Sequence, residues 1–100
     1  MDNFPKWRNE MTDQLFKAIM LLENIGECYR FFEDVATINE IKELSQRLEV
    51  ARMLDEGFIY EDIVQKTGAS SATISRVKKC LNYGADGYQL ILKKFKEQKK

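Results

Sequence analysis

The sequence predicts an all-α protein. Over nearly all of the 100 residues, apolar side chains recur at intervals of three and four, the spacing of one helix face, and the alternation typical of strands is nearly absent. Glycines and Ser or Thr capping residues divide this pattern into six segments. With 44% hydrophobic residues, a chain of this length can form one compact domain, but its small core would gain much from dimerisation.

Three helices are predicted before residue 58. The first runs from about Asn9 to Asn24, and its apolar stripe is broad enough to indicate burial on several sides. The second, ECYRFFEDV, is short. The third, INEIKELSQRLEVARMLDEG, follows a capping box formed by Thr37 and Glu40 and stops at Gly57. Its expected core stripe is Ile41, Leu44, Leu48, Ala51 and Leu54.

Three more helices complete the prediction. The fourth, YEDIVQKT, stops at Gly68, and the fifth begins with Ser70 or Ser71 as its cap and runs to Gly84. The sixth starts near Asp86 and ends before KEQKK. The resulting organisation is a flexible arm over residues 1–8, a single domain over residues 9–96 and a basic tail over residues 97–100.

Composition narrows the classes of function. The chain has no histidine, and its two cysteines, Cys28 and Cys80, do not form a CxxC pair, so no disulfide framework, usual zinc site or other metal site is expected. Both thiols are expected to be reduced and packed on apolar helix faces. Without imidazole, the commonest general base is missing, which makes an enzyme the weaker class; no catalytic residue is assigned.

The chain also lacks membrane signals. Its longest apolar run, AIMLL, is far shorter than the roughly 20 residues that span a bilayer, and the N-terminus lacks the apolar core of a signal peptide. A cytoplasmic protein without a membrane partner is therefore expected.

Charge is distributed unevenly along the chain. The 16 basic and 16 acidic side chains cancel, yet residues 1–60 carry a net charge of −5 and residues 61–100 a net charge of +5. In EDIVQKTGASSATISRVKKCLNY, residues 61–83, four cationic side chains and no acidic one follow Asp62. Because phosphate contacts act over about 8 to 10 Å, local positive charge is sufficient to bind a polyanion.

Residues 60–83 have the pattern of a helix-turn-helix. Ile63 and Val64 would pack the first helix, Gly68 would form the turn, and Ile74, Val77 and Leu81 would pack the second helix. The opposite face of that second helix is small and basic, as in a helix that enters the DNA major groove. The residues expected nearest the bases are Ser71, Ala72, Thr73, Ser75 and Lys79, and those nearer the DNA backbone are Lys66, Arg76 and Lys78.

These segments carry a family resemblance over about residues 11–96. GASSATISR is similar to the turn and recognition helix of the tryptophan repressor superfamily, and FFEDVATINEIKELSQRLEVARMLDEG with CLNYG resembles the YerC/YecD group of bacterial proteins within it. The resemblance implies a six-helix tryptophan repressor-like fold and an intertwined homodimer. It also implies a transcriptional repressor that binds double-stranded DNA. Two recognition helices about 34 Å apart would read an inverted repeat.

The resemblance also implies a small-molecule co-effector held by Thr37 of one protomer and by Arg47 and Arg76 of the other. Val77 stands where that pocket has a glycine, and Cys80 where it has a serine. A valine would fill space that an indole ring needs, and a thiol is a weak hydrogen-bond partner, so these residues argue against tryptophan as the effector.

The same residues also fit three alternatives. Instead of binding an effector, Thr37 can serve simply as a helix cap, Arg47 as an exposed residue paired with Glu43, and Arg76 as a phosphate contact. The whole chain can instead be a helical protein-protein interaction module whose basic face meets an acidic partner. An enzyme would have to use acids such as Glu33, Asp34, Glu61 and Asp62, which are typical of solvated helix faces.

Overall fold

The computed structural model describes residues 4–98, and this part of the chain contains six α-helices and no strand. They are α1 (Glu10–Met20), α2 (Ile25–Val35), α3 (Ile38–Asp55), α4 (Tyr60–Thr67), α5 (Ser71–Tyr83) and α6 (Gly87–Gln98). The predicted all-α class is confirmed. The helices belong to two compact units, one ending at Ile38 and one beginning at Asn39. Among the described residues, no helix is both long and apolar enough to cross a membrane.

The first unit begins with a folded segment ahead of α1. The backbone N–H of Arg8 donates to the Pro5 carbonyl over 3.1 Å, and the Arg8 guanidinium lies 3.6 Å from the centre of the Phe4 ring. The same guanidinium donates to both carboxylate oxygens of Asp13, at 2.7 and 3.0 Å. These hydrogen bonds lower the pKa of Asp13. Residues 1–3 of the predicted arm and residues 99 and 100 of the predicted tail lie outside the described residues.

Asparagine caps set the bounds of α1 and α2. Asn9 and Thr12 form a reciprocal capping box at the start of α1. At its end, α1 stops at Met20 rather than at Asn24, because Asn24 is the N-cap of the next helix. Its side chain accepts the Glu27 backbone N–H at 2.9 Å, and Glu27 accepts the Glu23 N–H at 2.9 Å. Therefore α2 begins at Ile25, two residues before the predicted start.

Neither α1 nor α2 buries any of its residues within this chain. On α1, Met11 is 78% exposed and Met20 is 82% exposed; on α2, Ile25 is 74% exposed. The described part of one chain therefore does not bury α1 on several sides, although the sequence predicted such burial. Large apolar faces of this kind are rare on monomeric proteins and mark interaction surfaces.

The second unit holds the hydrophobic core. Its buried side chains come from α3 to α6 and from the turn after α4: Val50, Ala51, Met53, Ile63, Ala69, Ile74, Val77, Leu81 and Leu92. The stripe predicted for α3 was wrong in part, since Ala51 is buried but Leu44 is exposed. Only the C-terminal half of α3 contributes buried side chains, which are Val50, Ala51 and Met53.

Ion pairs reinforce α3 and join it to α6. Arg52 binds Glu49 at 2.8 Å and Glu56 at 2.7 Å, along a partly exposed side of α3. Lys96 of α6 binds Asp55 at 2.8 Å. This hydrogen bond, helped by the negative charge of Asp55, raises the pKa of Lys96.

Gly84 ends α5 in a space that has no room for a side chain. Its backbone N–H donates to the Cys80 carbonyl at 2.8 Å, and a Cβ atom added to Gly84 would lie 2.3 Å from that carbonyl oxygen. We expect Gly84→Ala to lower the free energy of unfolding by about 1–3 kcal/mol, because the end of α5 must move. Gly87→Ala is the matched control, since nothing lies within 4 Å of the added Cβ. Urea unfolding followed by circular dichroism would measure both, and equal stability of the two variants would contradict the prediction.

Candidate nucleic-acid interface

The turn between α4 and α5 is fixed by backbone and hydroxyl hydrogen bonds. Gly68 adopts the left-handed conformation, with φ 73° and ψ 6°, and its N–H donates to the Val64 carbonyl at 2.8 Å. The Thr67 hydroxyl donates to the Ile63 carbonyl at 2.7 Å and accepts the N–H of Ala69 at 3.1 Å. The predicted stop of α4 at Gly68 is confirmed. Because Ala69 is itself buried, the turn is anchored to the core.

Ser70, rather than Ser71, caps α5. Its hydroxyl oxygen accepts the Thr73 backbone N–H at 3.1 Å and lies 3.1 Å from the Thr73 hydroxyl. Thr73 is half-buried, and its backbone N–H and its hydroxyl are both hydrogen-bonded to Ser70. Ser71 is the first residue of α5 and is exposed.

Two glutamines from neighbouring helices hold the ends of α4 and α5. The Gln46 side-chain amide, on α3, donates to the Thr67 carbonyl at the end of α4 over 3.0 Å. The Gln89 amide, on α6, donates to the Leu81 carbonyl near the end of α5 over 2.7 Å. Each bond satisfies a carbonyl that the helix itself leaves free. No local sequence pattern indicated these contacts, because the partners lie 21 and 8 residues apart.

The inner side of the helix-turn-helix packs as predicted, with one exception. Ile63, Ile74 and Val77 are at most 1% exposed, and Leu81 is also buried. Val64 is 42% exposed, so its predicted role as a core residue was wrong. The reason is its position: Ile63 occupies the core-facing side of α4, and the adjacent residue lies about 100° around the helix.

The outer side of α5 is exposed, small and basic. The predicted DNA-facing residues that are exposed on α5 are Ser71, Ala72, Ser75, Arg76, Lys78 and Lys79. Within residues 4–98, none of its three cations forms an ion pair. Lys78 instead places its ammonium 5.7 Å from the centre of the Tyr60 ring. This face therefore presents positive charge that no described carboxylate neutralises.

Lys66, the remaining predicted cation, lies on α4 near an acidic neighbour. Hydrogen bonds from Arg52 lower the pKa of Glu49, and the positive charge of Lys66 adds to that lowering. Lys66 and Glu49 also line a cavity of about 470 Å³ between α3 and α4. Lys66 forms no ion pair within the described residues, but unlike the cations of α5 it lies near a carboxylate, that of Glu49.

The predicted effector residues are spread over both units. Thr37 directly precedes α3 and belongs to the first unit. In the second unit, Arg47 is half-buried on α3 and Arg76 is exposed on α5. The alternative reading of Arg47 as an exposed residue paired with Glu43 was wrong, because no such pair forms among the described residues.

Val77 and Cys80, the two departures from the effector pocket of the family, differ in burial. Val77 is 1% exposed within the core, so a ligand ring that needed its volume would have to displace a core side chain. Cys80 is exposed, and the prediction that it packs on an apolar face was wrong; Cys28 is half-buried. In the described part of the chain, no group of three Cys, Asp or Glu side chains could hold a metal ion.

A short helix, a left-handed glycine turn and a capped second helix with a basic outer face together define a helix-turn-helix protein. The chain belongs to the Trp repressor protein family, whose model matches residues 10–96. This family is one of DNA-binding regulators.

Three relatives illustrate the family. YerC of Bacillus subtilis (strain 168), an uncharacterised protein, is 60% identical over 92 residues, which cover 92% of this chain and 88% of YerC. The crystal structure of a candidate Trp repressor from Staphylococcus aureus matches with a TM-score of 0.88 and 50% identity, covering 96% of both chains. The crystal structure of a TrpR-like protein from Eubacterium eligens ATCC 27750 matches with a TM-score of 0.86 and 56% identity. The match covers 88% of this chain and 91% of that protein's chain. The resemblance and the six-helix tryptophan repressor-like fold are thereby confirmed.

Proposed function

We propose that this protein is a cytoplasmic transcriptional repressor that binds an inverted-repeat operator as a homodimer. In this proposal residues 9–96 form the DNA-binding domain, with the helix-turn-helix at residues 60–83. The observation that carries the proposal is the exposed surface of α5, where Arg76 and Lys79 on the outer side and Lys78 on the flank form no ion pair within the described residues. Exposed, unneutralised cations along one helix are what phosphate binding requires.

The predicted roles within this face divide by side-chain length and burial. Ser71, Ala72 and Ser75 are short and exposed, so the backbone of α5 could approach base edges closely. Lys79 projects from the same face and would reach further toward the bases. Thr73 would act mainly through the cap that it forms with Ser70.

Lys66, Arg76 and Lys78 would position the helix on the phosphates. All three side chains are exposed, and Lys66 extends the basic surface from α5 onto α4. Such contacts orient a protein on the duplex without reading sequence.

The exposed faces of α1 and α2 support the homodimer. Both helices carry large apolar side chains, and neither buries any of them within the chain. A second protomer would cover this surface in an intertwined dimer, and such a dimer would present two copies of α5. Two-fold symmetry is the reason to expect an inverted repeat.

The alternative is a helical module that docks an acidic protein through the same basic face. Both functions use positive charge, but only DNA binding releases many condensed counterions and so depends steeply on salt. The two functions therefore differ in how binding responds to ionic strength and in whether binding selects a DNA sequence.

The test begins with the purified protein. We expect a dimer by light scattering, retention on random-sequence duplex DNA at low salt with loss at moderate salt, and enrichment of an inverted repeat by selection from a random library. Absence of retention at low salt would contradict DNA binding. Retention without any enriched sequence would favour the interaction module.

A co-effector is tested in the same preparation. In the family arrangement, Thr37 of one protomer and Arg47 and Arg76 of the other would hold it. A thermal-shift screen of amino acids and nucleotides that includes tryptophan would identify a ligand, and Arg47→Ala should abolish the shift it produces.

A further inference from the structure

We infer that Tyr60 is a positioning residue for DNA binding: its ring holds the Lys78 ammonium in place without neutralising it. The inference rests on the proposed function, since it concerns the same DNA face. It adds a residue of α4 to a surface otherwise assigned mainly to α5.

The contact joins the two helices of the motif. Tyr60 is the first residue of α4, Lys78 lies in the second half of α5, and the ammonium nitrogen is 5.7 Å from the ring centre. On a helical wheel, Lys78 lies about 40° from the buried Ile74, on the flank of α5 rather than on its outermost side. A lysine on this flank can reach α4 while its long side chain still ends at the surface.

The chemical nature of the partner of Lys78 determines how the contact affects DNA binding. A lysine beside a carboxylate loses its attraction for phosphate, because the ion pair must first be broken. Carboxylates are available next to Tyr60 in the sequence, at Glu61 and Asp62, yet Lys78 pairs with neither in the described structure. An aromatic ring attracts a cation through its quadrupole and carries no net charge, so the full positive charge and the N–H donors remain for phosphate.

Lys79 provides the internal comparison. It follows Lys78 directly and is equally exposed, but no aromatic ring lies under its ammonium among the described residues. Ordering a lysine side chain costs conformational entropy, and Lys78 has lost part of that freedom before DNA arrives. Tyr60 should therefore strengthen binding only through Lys78 and equally on all DNA sequences.

The experiment is a double-mutant cycle on binding to a random-sequence duplex at low salt. Tyr60→Leu removes the ring and is expected to weaken binding about twofold to fivefold, the effect of an exposed cation–π contact. Tyr60→Phe keeps the ring and should bind as the unmodified protein does. In a Lys78→Ala background, Tyr60→Leu should have no further effect.

A second readout detects the contact in free protein. The ring current of Tyr60 should shift the ε-methylene proton resonance of Lys78, and that shift should vanish in Tyr60→Leu and persist in Tyr60→Phe. Binding lost equally in Tyr60→Phe would overturn the inference in favour of a direct contact by the hydroxyl. A loss that persists without Lys78, or no loss in Tyr60→Leu, would overturn it as well. Failure of the unmodified protein to bind the duplex would instead refute the proposed function.

Discussion

Replacing both Lys78 and Lys79 with Ala is expected to weaken binding to every DNA sequence, by up to roughly 60-fold near 0.1 M salt. Each lysine that neutralises a phosphate contributes about 0.9 to the slope of log affinity against log salt, so the slope should flatten by up to about 1.8. Both side chains are exposed and form no ion pair with any described residue, so their removal breaks no salt bridge. Gel-shift titrations at several salt concentrations would measure the slope.

Ser75→Ala is the matched control on the same helix face. Ser75 is exposed and short, and its hydroxyl can meet base edges but carries no charge. Its replacement should change the preferred sequence and leave the salt slope as it was. If the double lysine change left both affinity and slope unaltered, the DNA-binding face would have to lie elsewhere.

Ile63→Ala is expected to lower the free energy of unfolding by about 2–5 kcal/mol, through lost apolar transfer and the cavity left behind. Ile63 is 0% exposed and is the buried residue of α4, so its loss also loosens the helix-turn-helix. Because whole domains are stable by only about 5–15 kcal/mol, DNA affinity should fall together with stability. Urea unfolding at one fixed protein concentration, followed by circular dichroism, would provide the value.

Ile59→Ala removes the same side chain four residues earlier, at a position that is 61% exposed. Its side chain makes no capping hydrogen bond to α4. We expect a change within about 0.5 kcal/mol. Equal losses in the two variants would mean that Ile63 does not anchor α4 in the core.

The elements that the sequence predicted best are those set by local chemistry. The bounds of α4 match because Gly68 alone can take the left-handed turn cheaply, and α5 begins where Ser70 can accept a backbone N–H. The end of α1 was misplaced because the apolar periodicity continues past Met20. The Asn24 and Glu27 pair, a capping signal three residues apart, could have located the boundary.

The features that the sequence did not predict depend on packing between helices. Periodicity could not tell that α3 buries Val50 and Met53 while leaving Leu44 exposed, since the partners come from later helices. Likewise, the contact of Lys78 with Tyr60 joins residues that are 18 positions apart. The candidate DNA face was nevertheless visible in the sequence, because the spacing of charge on one helix does not depend on tertiary contacts.

In the proposed homodimer, the lack of buried residues in α1 and α2 would link the folding of this protein to its abundance. If the second copy supplies the missing cover, the folded state gains stability with every rise in protein concentration, through mass action. Dilution would then remove both the operator-binding dimer and the fold of its subunits. Occupancy of the operator would rise more steeply than the number of chains, so the cell could use synthesis rate alone to set a threshold for regulation.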